Sequence, residues 1–210
     1  MRQRLLIAFV VLAVIVIAIG AYFYSHGAAT PPPTPGTKTG QALIGGPFAL
    51  VDQEGKRVSD RDFRGRFMLV YFGYTHCPDQ CPLDLDTMTQ AVDQMPADLA
   101  ARVQPVFITV DPKRDTQTVM HDYASHFHPR LEALTGSEDE VGAAVKAYRV
   151  YVHKGRPATS GGDDYPVDHS AFTFLMGPDG RYVAHFTPGT SPDDMAKRLA
   201  SLVHDNAATS

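Results

Sequence analysis

The 210-residue chain contains only two cysteines and has no excess of basic residues. With 19 basic and 23 acidic side chains, its formal net charge is −4. It therefore lacks the basic surface that neutralises nucleic-acid phosphates, and nucleic acid is not expected as a partner. Two cysteines cannot build a disulfide scaffold, and neither belongs to a C-x-x-C-H haem-attachment motif. Gly-rich phosphate loops, H-E-x-x-H and G-x-S-x-G are also absent from the sequence, which argues against kinases, metalloproteases and esterases.

An uncharged, strongly apolar stretch occupies residues 5–24. As a helix with a rise of ~1.5 Å per residue it would span roughly 30 Å, the thickness of the hydrocarbon core of a bilayer. Arg2 and Arg4 precede the stretch and the first acidic residue is Asp52, so the positive-inside rule leaves residues 1–4 in the cytoplasm. We therefore predict a single-pass transmembrane signal anchor in a bacterial inner membrane, with the C-terminal domain in the periplasm or outside the cell.

A cleaved signal peptide is the alternative interpretation of the same stretch. Its apolar region should be only about 7–15 residues long and should end at an A-x-A-like site. The stretch observed here is longer, and no convincing cleavage site follows it. An organellar transit peptide would need a leader rich in arginine and serine, for which residues 1–4 leave no room. The uncleaved anchor is therefore favoured.

Proline and glycine separate the apolar stretch from a domain-sized remainder. Residues 25–45 include Pro31-Pro32-Pro33 and Pro35 and almost no large apolar side chain, which predicts a semi-extended linker. The predicted domain covers residues 46–205, and residues 206–210 are predicted to form a flexible tail. Because 44% of the chain is hydrophobic and 20% is charged, we expect the domain to have a packed core.

Strand and helix patterns alternate along the predicted domain. The run Phe67–Phe72 is apolar on both faces, which is typical of a central strand that is buried on both sides. Residues Val103–Val110 are predicted to form a second buried strand. Further elements are predicted as helices at Leu83–Val92, Asp115–His126 and Glu138–Tyr148, a last helix capped by Ser191, a strand at Val150–His153, and hairpins at residues 48–59 and 171–186. This order predicts an α/β fold of the thioredoxin type, with a mixed central sheet and helices on both faces.

The two cysteines, Cys77 and Cys81, lie between a predicted buried strand and a predicted helix. Open α/β sheets bind ligands at the carboxyl ends of their strands, and the positive end of a helix is expected to lower the pKa of a thiol placed there. The spacing keeps the two thiols close, either on one helical turn or in a loop if the helix begins at Pro82. A disulfide closing so small a loop would stabilise the fold little, which favours a functional pair over a structural one.

Such a pair can exchange disulfides or bind a metal ion. Two thiolates favour Cu(I), and an added imidazole makes the site suitable for Cu(II) as well. The best candidate for the imidazole is His169, in a polar loop directly before a predicted strand. His76 adjoins the cysteines but is expected to face away from them. His121, His126 and His128 are expected on a solvated surface, because their spacing does not place them on one helix face.

The segment Tyr71–Pro82, which reads Y-F-G-Y-T-H-C-P-D-Q-C-P, resembles the signature of the Sco/SenC family of copper-binding assembly proteins. Three further segments are similar to that family, namely Phe48–Gly55, Thr109–Thr116 and Val167–Ser170. The sequence departs from the family pattern at Gln80, Leu83 and Pro166. None of these departures removes a candidate metal ligand.

The resemblance implies a membrane-tethered, thioredoxin-like domain that binds one copper ion through Cys77, Cys81 and His169. It also implies a carrier without a turnover reaction, which helps to mature the binuclear copper centre of cytochrome c oxidase. The partners expected on this basis are the copper-receiving oxidase subunit, a thioredoxin-like reductant of the cysteine pair and another copper chaperone.

An exported thiol–disulfide reductase is the alternative function for the same residues. Cys77 and Cys81 would then form a redox-active disulfide, with Cys77 attacking a partner disulfide and Cys81 resolving the mixed disulfide. Exchangers of the thioredoxin type have two residues between their cysteines rather than three, and they have no use for His169. A peroxidase would need one activated cysteine in a different motif.

Charged residues near the cysteines are expected to support the site. Asp79 is a candidate helix cap or a group behind the metal ligands. Asp111, Arg114 and Asp115 are expected to arrange the loop after the second buried strand, with Asp115 near a helix start.

Overall fold

The computed structural model describes residues 44–157 and 164–207 of the chain. The predicted membrane span at residues 5–24 and most of the predicted linker therefore lie outside the described residues. Within the two described ranges, no helix is both long enough and apolar enough to cross a membrane.

Seven strands form one mixed sheet, and two more form a separate hairpin. The strands of the described residues are β1 (Ala49–Asp52), β2 (Arg57–Ser59), β3 (Phe67–Gly73), β4 (Val103–Thr109), β5 (Glu132–Thr135), β6 (Val152–Lys154), β7 (Val167–His169), β8 (Thr173–Met176) and β9 (Tyr182–Phe186). The order in the large sheet is β2-β1-β5-β4-β3-β8-β9, and β6 pairs with β7 in the small one. Because β3 is parallel to β4 and antiparallel to β8, the prediction of a mixed sheet is confirmed.

The helices of the described residues follow the predicted alternation with strands. They are α1 (Gln80–Asp93), α2 (Ala97–Ala100), α3 (Gln117–Ala124), α4 (Glu138–Ala147) and α5 (Pro192–Ala207), with a short 3₁₀-helix at Asp60–Phe63. The predicted cap of α5 is confirmed, since Ser191 Oγ accepts a hydrogen bond from the Asp194 N–H at 3.2 Å.

Helices cover both faces of the sheet, as predicted. On one face the hydroxyl of Tyr71 in β3 donates to Asp84 in α1. Its neighbour Phe72 points to the opposite face because side chains alternate along a strand, and there its ring lies 5.1 Å from that of Tyr148, directly after α4. Strands β3 and β4 are buried along their whole length, so they form the centre of the core.

Helix α3 and strand β5 are two places where the structure differs from the prediction. Helix α3 begins at Gln117 rather than at Asp115, because Thr116 is its N-cap and accepts a hydrogen bond from the Val119 N–H at 3.4 Å. Asp115 is fully buried before the helix. Strand β5 was not predicted, since a run of four residues carries too little pattern to be recognised.

Contacts of the described residues reach slightly beyond the predicted domain at both ends. Ile44 packs against the core, and the Gly45 N–H donates at 3.0 Å to a carbonyl at the end of α4. These two residues, assigned to the linker, therefore contact the domain. At the other end α5 continues through Ala207, where a tail from residue 206 was predicted, because the side chain of Asn206 hydrogen-bonds back onto the helix.

Candidate metal centre

The two cysteines lie where β3 gives way to α1. Cys77 belongs to the loop after β3, and Cys81 is the second residue of α1. The helix thus begins at Gln80, before Pro82, which corrects the predicted start at Leu83 or Pro82. Pro82 is tolerated because the N–H groups of a first helical turn have no partner within the helix. Both cysteines are free thiols; Cys81 is buried and Cys77 is half-buried.

The thiol of Cys77 sits at the N-terminus of α1. Its Sγ accepts a hydrogen bond from the Cys81 N–H at 3.3 Å. Asp79 occupies the N-cap position, but its side chain makes no capping hydrogen bond. The sulfur of Cys77 therefore makes a capping contact at the N-terminus of α1, the role predicted for Asp79.

Cys81 has a raised pKa, contrary to the prediction for a thiol at a helix N-terminus. Burial raises the pKa of the Cys81 thiol to about 12, because a thiolate in this position would lose its contact with water. The helix dipole does not compensate for that loss. At neutral pH Cys81 is therefore a protonated thiol, and its proton has to leave when a metal ion binds.

His169 meets Cys81 from the far end of the chain. It is the last residue of β7 rather than part of a loop, and its Nε2 lies 3.4 Å from the Sγ of Cys81. Its Nδ1 lies 3.2 Å from the carbonyl oxygen of Ser170. Because a carbonyl can only accept, Nδ1 carries the proton and the Nε2 lone pair faces the thiol. Burial also lowers the pKa of His169, which keeps the imidazole neutral and able to coordinate a metal.

Aromatic rings enclose the imidazole. The rings of Tyr71 and Tyr74 meet that of His169 edge to face, with centroids 6.1 Å and 5.9 Å away. The Tyr71 hydroxyl donates at 3.0 Å to Asp84, whose other oxygen accepts from the Gln80 amide at 2.8 Å. Tyr71 and Asp84 were not singled out in the sequence. The available signal was the position of Asp84 three residues after Cys81, which places the two side chains on one helix face.

Gly73, the last residue of β3, is a further residue that sequence analysis missed. An added Cβ at this position would lie 2.9 Å from the Sγ of Cys81 and 2.9 Å from the Tyr71 ring. Only the absence of a side chain at Gly73 lets the buried thiol pack against the strand.

The predicted ligands are neighbours, but they do not form a closed three-ligand cluster. Cys81 contacts His169 through its sulfur, whereas Cys77 contacts the backbone of Cys81. Within residues 44–157 and 164–207, no group of three or more histidine, cysteine or acidic side chains is arranged to hold a metal ion. A three-coordinate site at these residues would therefore require their side chains to rearrange.

The four other histidines considered in the sequence make their contacts with different groups. His76 is 54% exposed and its Nδ1 lies 3.8 Å from Asp115. The three candidates assigned to a solvated surface bind three different groups: His121 pairs with Glu54, His126 with the Asp122 carbonyl and His128 with Asp93.

Asp115 fixes the loop that carries the cysteines. Its carboxylate accepts hydrogen bonds from the N–H and hydroxyl of Thr75, at 3.1 Å and 2.6 Å, and from the hydroxyl of Thr109 at 2.5 Å. The start of the cysteine loop is thereby tied to the end of β4, as predicted for Asp115 in arranging this region.

The fold is that of a thioredoxin-like domain. Its site consists of a buried thiol in contact with a neutral imidazole, and a second free thiol lies beside them. The family model of SCO1/SenC matches residues 36–204. The chain belongs to that family, which confirms the resemblance seen in the sequence.

Individual relatives support the same assignment. Protein sco1 of Schizosaccharomyces pombe is 41% identical over 162 residues, which are 77% of this chain and 62% of that protein. The mitochondrial SCO1 homolog of Homo sapiens is 39% identical over 163 residues, covering 77% of this chain and 54% of that protein. The chain thus spans less than two thirds of the length of either curated relative.

A solved structure confirms the fold. Bradyrhizobium japonicum ScoI with copper bound matches with a TM-score of 0.68 and 42% identity, covering 76% of this chain and 99% of that chain. The thioredoxin-like α/β fold predicted for this chain is therefore the fold of a domain whose structure was solved with copper bound.

Proposed function

We propose that this protein is a membrane-anchored copper carrier that binds one copper ion through Cys77, Cys81 and His169. In this proposal it assists the maturation of the binuclear copper centre of cytochrome c oxidase. The observation that carries the proposal is the 3.4 Å approach of the Cys81 Sγ to the unprotonated Nε2 of His169. A soft sulfur and a neutral imidazole, with a free thiol at hand, match the ligand preferences of copper.

The three donors differ in what they contribute. The two thiols supply the soft ligands that hold Cu(I), with Cys77 turning its sulfur away from the Cys81 N–H and Cys81 losing its proton. The imidazole of His169 adds the nitrogen that Cu(II) requires. Because Cys77 is half-buried and Cys81 is buried, an incoming partner thiolate reaches the Cys77 side of the site first. Copper would then leave by stepwise exchange of ligands.

The first part of the chain and the family support a membrane setting for this exchange. Residues 5–24 serve as the anchor in a bacterial inner membrane, and the copper domain lies on the exported side. The copper-receiving oxidase subunit takes up the ion, a thioredoxin-like protein keeps the cysteines reduced, and another copper chaperone supplies the copper.

Thiol–disulfide exchange is the second candidate function. The observation that favours it is the presence of two neighbouring free thiols, of which Cys77 is accessible. The Cys77 thiolate would attack a partner disulfide and release one partner thiolate. Cys81 would then attack the mixed disulfide and release the second partner thiol, leaving a Cys77–Cys81 disulfide. The raised pKa of Cys81 slows this second step.

A copper titration separates the two functions. The full chain is purified in detergent, reduced without air and titrated with Cu(I) and with Cu(II), while thiolate-to-copper charge-transfer absorption is recorded. We expect one bound copper and a charge-transfer band that is lost in Cys77→Ser and in His169→Ala. The matched control His153→Ala, which changes an exposed histidine of the same hairpin, should retain the band.

The opposite result is equally clear. If the full chain binds no more copper than the Cys77→Ser/Cys81→Ser double variant, the proposal of a copper carrier is wrong. Rapid exchange with oxidised glutathione by the same preparation would then support the reductase.

A further inference from the structure

The hairpin that carries His169 is attached to the domain differently from the cysteines. Its strands β6 and β7 pair with each other, in a sheet separate from the seven-stranded one. Cys81, by contrast, lies on α1, which packs on the central strands. The distance between His169 and Cys81 therefore depends on the side chains that tie the hairpin to the main sheet, together with the short connection from β7 to β8.

Four side chains make such a connection, and we call them the Asp111 clamp. They are Asp111, Arg114, Lys154 and Tyr165. Asp111 follows β4 and is fully buried, whereas Lys154 ends β6 and Tyr165 precedes β7. The Lys154 Nζ lies 2.8 Å from Asp111 Oδ1, and the Tyr165 hydroxyl donates to the same oxygen at 2.8 Å. One carboxylate thus holds both strands of the hairpin.

Arg114 extends the clamp towards the imidazole. Its Nε donates to Asp111, and its Nη1 donates to the Tyr165 carbonyl at 2.9 Å. Its guanidinium lies 3.8 Å from the centre of the Tyr165 ring and 5.6 Å from that of Tyr74, as in cation–π pairs. Tyr74 in turn meets the His169 ring edge to face at 5.9 Å. The Arg114 guanidinium and the Tyr74 ring therefore form a continuous series of contacts from the clamp to His169.

The charge at the centre of the clamp is compensated on several sides. Burial by itself raises the pKa of Asp111, but hydrogen bonds from Lys154, Arg114 and Tyr165 outweigh burial and leave the pKa below its usual value. A buried carboxylate that lost these partners would be strongly destabilising. The contacts therefore support one another, and they join both strands of the hairpin to one buried carboxylate.

We infer that the Asp111 clamp positions the hairpin so that His169 stays against Cys81. The expected consequence of this inference rests on the proposed copper function, because it concerns the binding of Cu(I) and Cu(II). If a clamp contact is lost, His169 moves with the hairpin while Cys77 and Cys81 stay on the main domain. Binding of Cu(II), which needs the imidazole, then weakens more than binding of Cu(I), which the two thiolates hold.

The test uses two variants that each remove one clamp contact. Lys154→Met removes the ammonium, and Tyr165→Phe removes the hydroxyl but keeps the ring under Arg114. The matched controls are Lys56→Met, at an exposed lysine, and Tyr151→Phe, at an exposed tyrosine beside the hairpin. Lys154→Arg restores a cation and should rescue Lys154→Met.

The first measurement needs no copper. Amide hydrogen exchange is followed by NMR on the full chain in detergent, at two N–H groups that bond across the hairpin. The Gly155 N–H donates to the Pro166 carbonyl at 2.8 Å, and the Ser170 N–H donates to the Tyr151 carbonyl at 3.0 Å. We expect both amides to exchange clearly faster in the clamp variants than in the controls, while amides of β3 keep their protection.

The second measurement compares affinities. In the clamp variants we expect the Cu(II) affinity to fall by about 10–100-fold, the usual effect of removing a group that orients a metal ligand, with the Cu(I) affinity unchanged. Unchanged exchange at the hairpin amides, or an equal loss of affinity for both copper states, would overturn the inference. If the unaltered chain binds no copper, the proposed function fails, and the exchange result alone decides whether the clamp holds the hairpin.

Discussion

Cys81 and His169 touch one another, but they belong to regions of the molecule that are built differently. Cys81 lies on α1, pressed against β3 so closely that Gly73 has no room for a side chain. His169 ends a hairpin that is separate from the main sheet and is joined to it through the Asp111 clamp. The comparison teaches that the sulfur is placed by core packing, whereas the imidazole is placed by a few polar and aromatic contacts.

The largest expected effect concerns the packing of α1. Leu85 is fully buried, whereas Leu83, on the same helix, is 62% exposed. We expect Leu85→Ala to lower the free energy of unfolding by about 2–5 kcal/mol, because it removes buried methyl groups and leaves a cavity. Urea denaturation measures the change. The control Leu83→Ala should stay within about 0.5 kcal/mol, and equal effects at the two positions would contradict the assignment of a packed face.

The next prediction breaks the close contact behind Cys81. We expect Gly73→Ala to lower the free energy of unfolding by about 1–3 kcal/mol, since overpacking a filled core forces its side chains apart. In the matched control Gly142→Ala, a new Cβ within α4 meets nothing within 4 Å. The control should therefore stabilise the protein, by about 1 kcal/mol, because alanine favours a helix interior. If urea denaturation shows no loss in the free energy of unfolding for Gly73→Ala, the close packing of Cys81 against Gly73 is contradicted.

A smaller effect concerns the clamp and depends on pH. Because the pKa of Asp111 is lowered in the folded protein, its contribution to stability is complete above the unfolded value of about 3.9. That contribution is lost as the pH falls through the lower folded value. We expect the stability gap between the unaltered chain and Asp111→Asn, measured with urea between pH 7 and pH 3, to shrink below about pH 4.

Asp98→Asn on α2 is the control for this series, because Asp98 is exposed and remote from the clamp. Its stability should run parallel to that of the unaltered chain. A gap for Asp111→Asn that stays constant down to pH 3 would mean that the carboxylate is not held by Lys154, Arg114 and Tyr165.

The smallest effect is expected at a surface ion pair outside both regions. Arg57 on β2 lies 2.7 Å from Glu140 on α4, and this contact, with hydrogen bonds from Ser137, lowers the pKa of Glu140 to about 2. Because the pair lies at the surface and is open to solvent, Glu140→Gln should cost only about 0.2–1 kcal/mol at neutral pH. The loss should diminish in high salt and as the pH falls towards 2. A loss as large as that of Leu85→Ala would contradict this ranking.

Much of the fold could be predicted from local pattern. Strand β3 is apolar on both faces, the pattern typical of a strand that is covered on both sides. The cysteine pair followed from its place between strand and helix. The predicted position of His169 in a polar loop made it a candidate ligand, but its assignment as a copper ligand depended on the family motif around it.

The remaining features depend on contacts that no local pattern contains. The pKa of Cys81 was predicted in the wrong direction, because the motif reveals the helix terminus but not how completely the thiol is buried. The clamp joins Asp111 to Tyr165, 54 positions later in the chain. Such a contact depends on how the two sheets are arranged. The sequence does not indicate which residues of β6 and β7 pair with each other outside the main sheet.

X-ray absorption at the copper edge tests the central claim most directly. The full chain is loaded with Cu(II), and its spectrum is compared with those of His169→Ala and of the control His153→Ala. The account predicts two sulfur ligands together with imidazole scattering, which disappears in His169→Ala and persists in His153→Ala. Copper bound without sulfur, or an imidazole signal that survives His169→Ala, would contradict it.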